Sequence, residues 1–181
     1  EMDNNEMAQL PVQLERMPNL RRLSLARNLL YMTGENASVL RSLSSLEVLN
    51  LNDNLLGPLL SFNSHAHLRR VYLRRTWIQV WPEGLISRPL LEAADLRENQ
   101  IMEIPEQVYQ ASPKIVRNIT LSNNPLSASS RLQLGRYVMQ GGSSMGISGE
   151  ELVSEMLAFE FWTSGITSTE LSKRELLWNN L

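Results

Sequence analysis

The apolar residues of this chain return with a long, regular period. From Val116 to Leu126 the sequence reads Val-Arg-Asn-Ile-Thr-Leu-Ser-Asn-Asn-Pro-Leu, with aliphatic residues at Val116, Ile119, Leu121 and Leu126 and an asparagine at Asn124. Sliding that template toward the N-terminus finds Leu20, Leu23, Leu25, Asn28 and Leu30, then Leu46, Leu49, Leu51, Asn54 and Leu56. Two looser copies are Leu68, Val71, Leu73, Thr76 and Ile78, and Leu91, Ala94, Leu96, Asn99 and Ile101. Successive copies start 26, 22, 23 and 25 residues apart. A period of this size belongs to units that bury their apolar side only against their neighbours.

Within each copy the paired aliphatic positions alternate with polar ones. This period of two predicts a short strand with its leucines inward and their neighbours outward. Stacked about 4.8 Å apart, five such strands make a parallel sheet on the concave side of the stack. The column Asn5, Asn28, Asn54, Thr76, Asn99 and Asn124 falls where the chain turns off the sheet. An amide carries both donors and an acceptor, so a ladder of them can satisfy the buried backbone groups of those turns. Thr76 keeps a hydroxyl but loses reach, which predicts loosening there. This pattern is the signature of a leucine-rich repeat, and the expected fold class is α/β: a leucine-rich-repeat solenoid followed by C-terminal α-helices.

Asn5, Met7, Leu10-Pro11 and Leu14 match Asn99, Ile101, Ile104-Pro105 and Val108, which puts Met2 at the last strand-leucine position. The chain thus opens inside a repeat and is expected to have further residues ahead of Glu1. Trp81-Pro82-Glu83-Gly84-Leu85 repeats the apolar-Pro form of Ile104-Pro105, a brief helical or extended turn on the convex side. Helical spacing through Val39, Leu40 and Leu43 marks a longer leg, and Ser61 to His67 reads as a polar loop.

After Leu126 the period stops. Arg131, Leu132, Leu134, Tyr137, Val138 and Met139 suit a helix with Ser127, Ser129 or Ser130 as cap and Gly141-Gly142 as its end. Ser148-Gly149-Glu150-Glu151 and Thr167-Ser168-Thr169-Glu170 are capping-box patterns opening two more. The expected division is residues 1–126 as repeats and 127–181 as a helical cap and linker. Trp162, Trp178 and Leu181 suggest a face meant for something that follows.

Composition narrows the function classes. With 43% apolar and 20% charged residues the chain is ordinary globular material, and a net charge of -2 gives no general pull toward nucleic acid or an acidic membrane. No apolar run reaches the roughly 18 residues of a membrane span. The absence of cysteine excludes disulfides, thiolate metal sites and a cysteine nucleophile within these residues.

The outward strand residues form columns whose centre is basic and aromatic. Arg22, Arg70, Tyr72, Arg74, Arg75, Asp95 and Arg97 are the candidate partner-binding residues, because arginine and tyrosine are enriched at binding hot spots. The alternative is a solvated charge face neutralised by Asp53, Asp95 and Glu98. Trp81 takes the inward position of Leu10 and Ile104 and is expected in the core, whereas Trp77 stands outward. His65-Ala66-His67 lacks a third metal ligand nearby, Gly141 to Gly146 lacks the ending of a phosphate loop and reads as a flexible connection, and the triplets at Asn36 and Asn118 match the glycosylation pattern. No catalytic constellation is present, and no metal or cofactor is expected.

Some stretches point further. Leu73-Arg74-Arg75-Thr76-Trp77-Ile78 with Trp81-Pro82-Glu83-Gly84-Leu85, Ala94-Asp95-Leu96-Arg97-Glu98-Asn99-Gln100-Ile101, and Ser122-Asn123-Asn124-Pro125-Leu126-Ser127 leading into Arg131 and Tyr137 resemble the repeat region of bacterial effectors and dermonecrotic-toxin-like proteins that precede a ubiquitin-ligase domain of the NEL (novel E3 ligase) type. Trp162 and Arg174-Glu175-Leu176-Leu177-Trp178 resemble the connection into that domain. The resemblance implies a substrate-recognition module that binds host proteins and can restrain the adjoining ligase domain, in a secreted protein delivered to host cytoplasm. The ligase's catalytic cysteine has no counterpart here, so no enzymatic role is carried over. The alternative is a structural or regulatory repeat domain contacting its own neighbours.

Overall fold

A computed structural model describes residues 1–164 and 168–178 of the chain; Thr167 and Leu181, named above, lie outside them. Strands β1 (Arg22–Ser24), β2 (Val48–Asn50), β3 (Arg70–Tyr72), β4 (Ala93–Asp95) and β5 (Ile119–Thr120) form one parallel sheet in chain order. The register sets Leu23, Leu49, Val71, Ala94 and Ile119 side by side, and all five are buried. The following row, Leu25, Leu51, Leu73, Leu96 and Leu121, is completely buried.

Each strand is short because the chain leaves the sheet in the same way every time. The residue before each ladder position adopts left-handed backbone: Asn4, Arg27, Asp53, Arg75, Glu98 and Asn123, with φ between 54 and 60°. None is glycine, so each turn carries roughly 1 kcal/mol of backbone strain that its surroundings must offset. The ladder does so. Asn54 Nδ2 donates to Leu51 O of its own repeat and Leu25 O of the preceding one, both at 2.9 Å, while its Oδ1 accepts from Leu30 N at 3.0 Å. Asn28 and Asn124 make the same three kinds of bond.

Thr76 departs from this pattern without the expected loosening. Its hydroxyl donates to Leu73 O at 2.8 Å, and its N–H donates to Asn99 Oδ1 at 2.8 Å. The bond that a ladder asparagine would have made to Leu56 N is made instead by the Thr76 carbonyl, at 3.0 Å. Turning that carbonyl back shifts strain to the next residue, and Trp77 takes φ 59°. Thr76 N, Leu73 O and Leu56 N thus all keep a partner.

The first residues stack as a partial repeat. Met2 N and Asn4 N donate to Ser24 O and Ala26 O, as Leu25 N and Arg27 N donate to Asn50 O and Asn52 O one repeat on. On the legs, Thr33 caps helix α1 (Gly34–Ser42), Pro105 precedes α2 (Glu106–Gln110), and α3 (Pro113–Val116) opens on its own proline. The Asn36 amide is committed inside, holding Leu10 N, Ala8 O and Tyr31 O, and Asn118 Nδ2 donates to Leu91 O. Both glycosylation triplets are therefore in internal use.

The leg from Ser61 to His67 corrects the expectation of a polar loop: Phe62 and His65 are fully buried, and His65 Nε2 donates to Leu40 O at 2.9 Å. His67 is exposed, so the two imidazoles do not converge.

Helices α4 (Ala128–Met139), α5 (Gly149–Thr163) and α6 (Ser168–Trp178) follow, with Ser127 and Ser148 capping the first two through Ser130 N and Glu151 N. The core continues through the 126/127 boundary, since Leu134, Met145 and Leu152 pack with the repeat leucines. The glycine stretch before Met145 is not a free connection either. Leu121 N donates to Met145 O at 2.8 Å, and the Met145 side chain is fully buried, which closes the edge of β5. Gly135 lets α4 and α5 approach closely: a Cβ there would stand 2.6 Å from Leu152 O. A smaller cluster joins Leu132, Met156 and Phe159 to Trp162 and Trp178, so the two tryptophans pack on each other and on α5.

Two outcomes test this account. Asn99→Ala strands the buried Thr76 N, while Leu73 O keeps the Thr76 hydroxyl and Leu96 O keeps the Asn124 amide, and should lower unfolding free energy by about 2 kcal/mol in urea titrations. An exposed-turn effect of a few tenths would refute the ladder. Burial lowers the His65 pKa below the usual 6.5, the Arg88 charge adding to burial and the Leu40 bond opposing it. Its contribution is therefore complete above about pH 6.5 and is lost as the pH falls from there toward the lowered folded value. Melting temperature should drop between pH 7 and 5, and His65→Gln should flatten that drop.

Candidate functional site

The outward strand residues line one face of the sheet, where Arg22 and Arg70 are exposed and Ser24, Val48, Asn50, Tyr72, Ala93, Asp95 and Thr120 are half-buried. The register puts Arg22, Val48, Arg70 and Ala93 in one row and Asn50, Tyr72, Asp95 and Thr120 in the next. The structure therefore gathers Arg70, Tyr72, Arg74, Arg75, Asp95 and Arg97 onto adjacent repeats. Arg22 stands apart across Val48 and has no ion pair among the described residues.

Carboxylates organise the arginines. Arg74 pairs with Glu98; Arg75 reaches Asp53 at 2.5 Å and Glu98 at 3.3 Å; Arg97 meets Asp95 at 2.7 Å. Arg69 and Arg70 share Glu92 at 2.6 and 3.2 Å. Pairs this exposed add little to stability, but a network holds flexible side chains in defined positions. The array is thus preorganised. Every guanidinium has five donors, and one or two carboxylate contacts leave some of them for a partner. Only Lys114 and Lys173 are lysines, so the cations of this face are all of the planar, bidentate type suited to carboxylates and carbonyls.

The electrostatics follow from these contacts. Burial pushes the Asp95 carboxyl up, but hydrogen bonds and charge from Arg97, with the charge of Arg74, outweigh it and hold Asp95 below the usual carboxylate range. Hydrogen bonds from Arg74 and Arg75 hold Glu98 low, and those from Arg69 and Arg70 do the same for Glu92. Asp53 and Glu98 in turn raise Arg75. All these groups keep their charges at neutral pH.

Sequence reasoning missed a second surface. Along the edge where the chain leaves the sheet, Leu29, Tyr31, Leu55, Trp77, Val80 and Met102 are each at least half exposed. Two cavities of about 680 and 390 Å³ lie there, sharing Gln79 and Val80. Trp81, expected in the core, is half-buried and forms a wall of the larger one. The signal was present in the doublets Leu29-Leu30, Leu55-Leu56 and Trp77-Ile78: the repeat needs one apolar residue after each ladder position, and the other is surplus.

Among the described residues, no group of three or more His, Asp or Glu side chains could hold a metal, and no helix is long and apolar enough to cross a membrane. The geometry is that of a repeat module that binds through a surface. The fold has counterparts among known proteins. Fibromodulin of Oryctolagus cuniculus is 30% identical over 129 residues, covering 71% of this chain and 69% of that protein. Tubulin-specific chaperone E of Mus musculus is 34% identical over 130 residues, which span 66% of this chain but only 24% of the chaperone. A leucine-rich-repeat protein of Leptospira interrogans shares the fold at a TM-score of 0.54 and 18% identity, over 77% of this chain and 41% of its own. No protein-family model matches. The chain belongs to the leucine-rich-repeat family, whose members are typically non-catalytic, protein-binding modules.

Asp95→Asn should cost about 0.5 kcal/mol of stability at pH 7, because it weakens a charge-assisted contact whose Arg97 side is open to solvent. The Asp95 contribution exists above the ordinary carboxylate pKa and is lost as the pH falls through the lowered folded value, so the deficit should shrink below pH 4. Chemical denaturation at both pH values checks this.

Proposed function

We propose that the open sheet face captures a partner protein, and that this module is the substrate-recognition part of a secreted bacterial protein of the NEL ubiquitin-ligase type acting on host proteins. The observation that carries the first half is the fixed array of Arg70, Arg74, Arg75 and Arg97 around Tyr72, uncovered at the centre of the sheet. Its chemistry selects a surface rich in carboxylates and exposed carbonyls. The second half rests on the resemblance of Leu73 to Leu85, Ala94 to Ile101 and Ser122 to Ser127 to such effectors. In this reading the module presents the bound host protein to a ligase domain elsewhere in the same protein, within host cytoplasm.

A regulatory role, with the face contacting neighbouring domains of a longer protein, is favoured by one fact. The matched region spans only 24% of the tubulin chaperone and 41% of the Leptospira protein.

Affinity capture from host-cell lysate, followed by titration of the captured protein, tests the reading. Tyr72→Ala with Arg74→Ala should weaken binding about 100-fold, a loss of about 2.7 kcal/mol shared between the two truncated contacts. Retention of full affinity by a folded double variant would sink the assignment of this face. In the finer reading, the full-length protein should transfer ubiquitin to the captured partner and the same double variant should not.

A further inference from the structure

Beyond the sheet face, the edge groove has the make-up of a second docking site. We propose that it binds an extended apolar segment of a partner protein, carrying lysine or arginine at alternate positions. The two cavities share Gln79 and Val80 in their walls, so they lie side by side across the repeats. The groove's apolar lining includes Tyr31, Leu55, Trp77, Val80 and Met102, between 50 and 61% exposed. Trp77 holds its ring in this groove from left-handed backbone at φ 59°, a conformation unfavourable for a bulky side chain, yet the ring buries little against the protein.

Charge defines the occupant. The residues lining the two cavities include no lysine or arginine, and Glu103 is the one charged side chain among them. Glu103 is not ion-paired among the described residues. Glu103 lines the larger cavity and receives a hydrogen bond from Ser130 Oγ. The acids of the sheet face are neutralised by arginine, whereas Glu103 has no cation beside it. The edge therefore attracts basic segments, and the sheet face attracts acidic ones.

Shape fixes the conformation. From Tyr31 in the first full repeat to Pro125 in the fifth the groove crosses four steps of about 4.8 Å, some 20 Å, the length of about six extended residues. In such a segment apolar side chains enter the groove while an alternate cation faces Glu103. Gln79 and Gln100 offer exposed amides to its backbone, and Trp81 Nε1 is a buried donor with no partner in the groove wall.

Fluorescence anisotropy with a labelled peptide of about eight residues, alternating leucine and lysine, tests the proposal, with a glutamate-for-lysine peptide as control. The cationic peptide should bind at least about tenfold more tightly than the control, and Trp77→Ala should weaken it about tenfold. Glu103→Gln, which keeps the oxygen facing Ser130, should weaken it about threefold and reduce its salt dependence. Met102→Ala gives an independent reading should Trp77→Ala fail to fold. Tyr72→Ala with Arg74→Ala should leave peptide binding unchanged, which separates this site from the sheet face. Equal binding of both peptides, indifference to Trp77→Ala and Met102→Ala, or loss in the sheet-face variant would overturn the proposal. So would self-association of the free chain that Trp77→Ala abolishes, since the groove would then serve a second copy.

Discussion

The structure depends on one interaction repeated along its length: a side-chain amide that ties the exit turn of each repeat to the strand before it. A short strand buried on one face supplies little apolar area, and the left-handed residue that ends it is strained. The asparagine amide answers both problems at once, because its two N–H donors and its oxygen reach backbone groups in two repeats. Stability is thereby shared between neighbours, as expected where units have no core of their own. At Thr76 the side chain fails to reach back and a backbone carbonyl takes its place, which shows that the constraint lies on the buried backbone groups and not on asparagine as such.

Once the ladder fixes where each strand starts and stops, three populations of side chain separate. Inward residues interlock as the core, and the outward neighbours form the sheet face. The residues just past the ladder are spread along the edge, where the chain bends away and leaves them half exposed. Met145 and helices α4 and α5 close the far end by giving β5 a backbone partner and its leucines a cover. The C-terminal region is thus part of the same packing problem as the repeats.

Charge is sorted along the same lines. The sheet face mixes arginines with carboxylates that fix them, and the edge groove holds Glu103 without a cation. This sorting is invisible in the net charge of -2, which averages over both surfaces. Recognition by such a module is local: partners are discriminated by which face they meet.

The sequence by itself determined the repeat positions, the strand register, the inward leucines and the outward columns. Those follow from period and alternation, and Leu49 beside Val71 beside Ala94 needed no other information. It also placed the cap at Ser148, because capping is a local bond, and narrowed the other to Ser127, Ser129 or Ser130, of which the structure uses Ser127. The tertiary structure alone decided the rest. That Asp95 would grip Arg97, and that Arg75 would lie between Asp53 and Glu98, depends on side-chain reach across repeats. That Phe62 and His65 would turn inward from a polar leg depends on the space left by α1, and that Met145 would seal β5 depends on contacts more than twenty residues apart. The edge groove needed the fold most, since a doublet such as Leu55-Leu56 does not say which leucine the turn will expose until the ladder has set its direction.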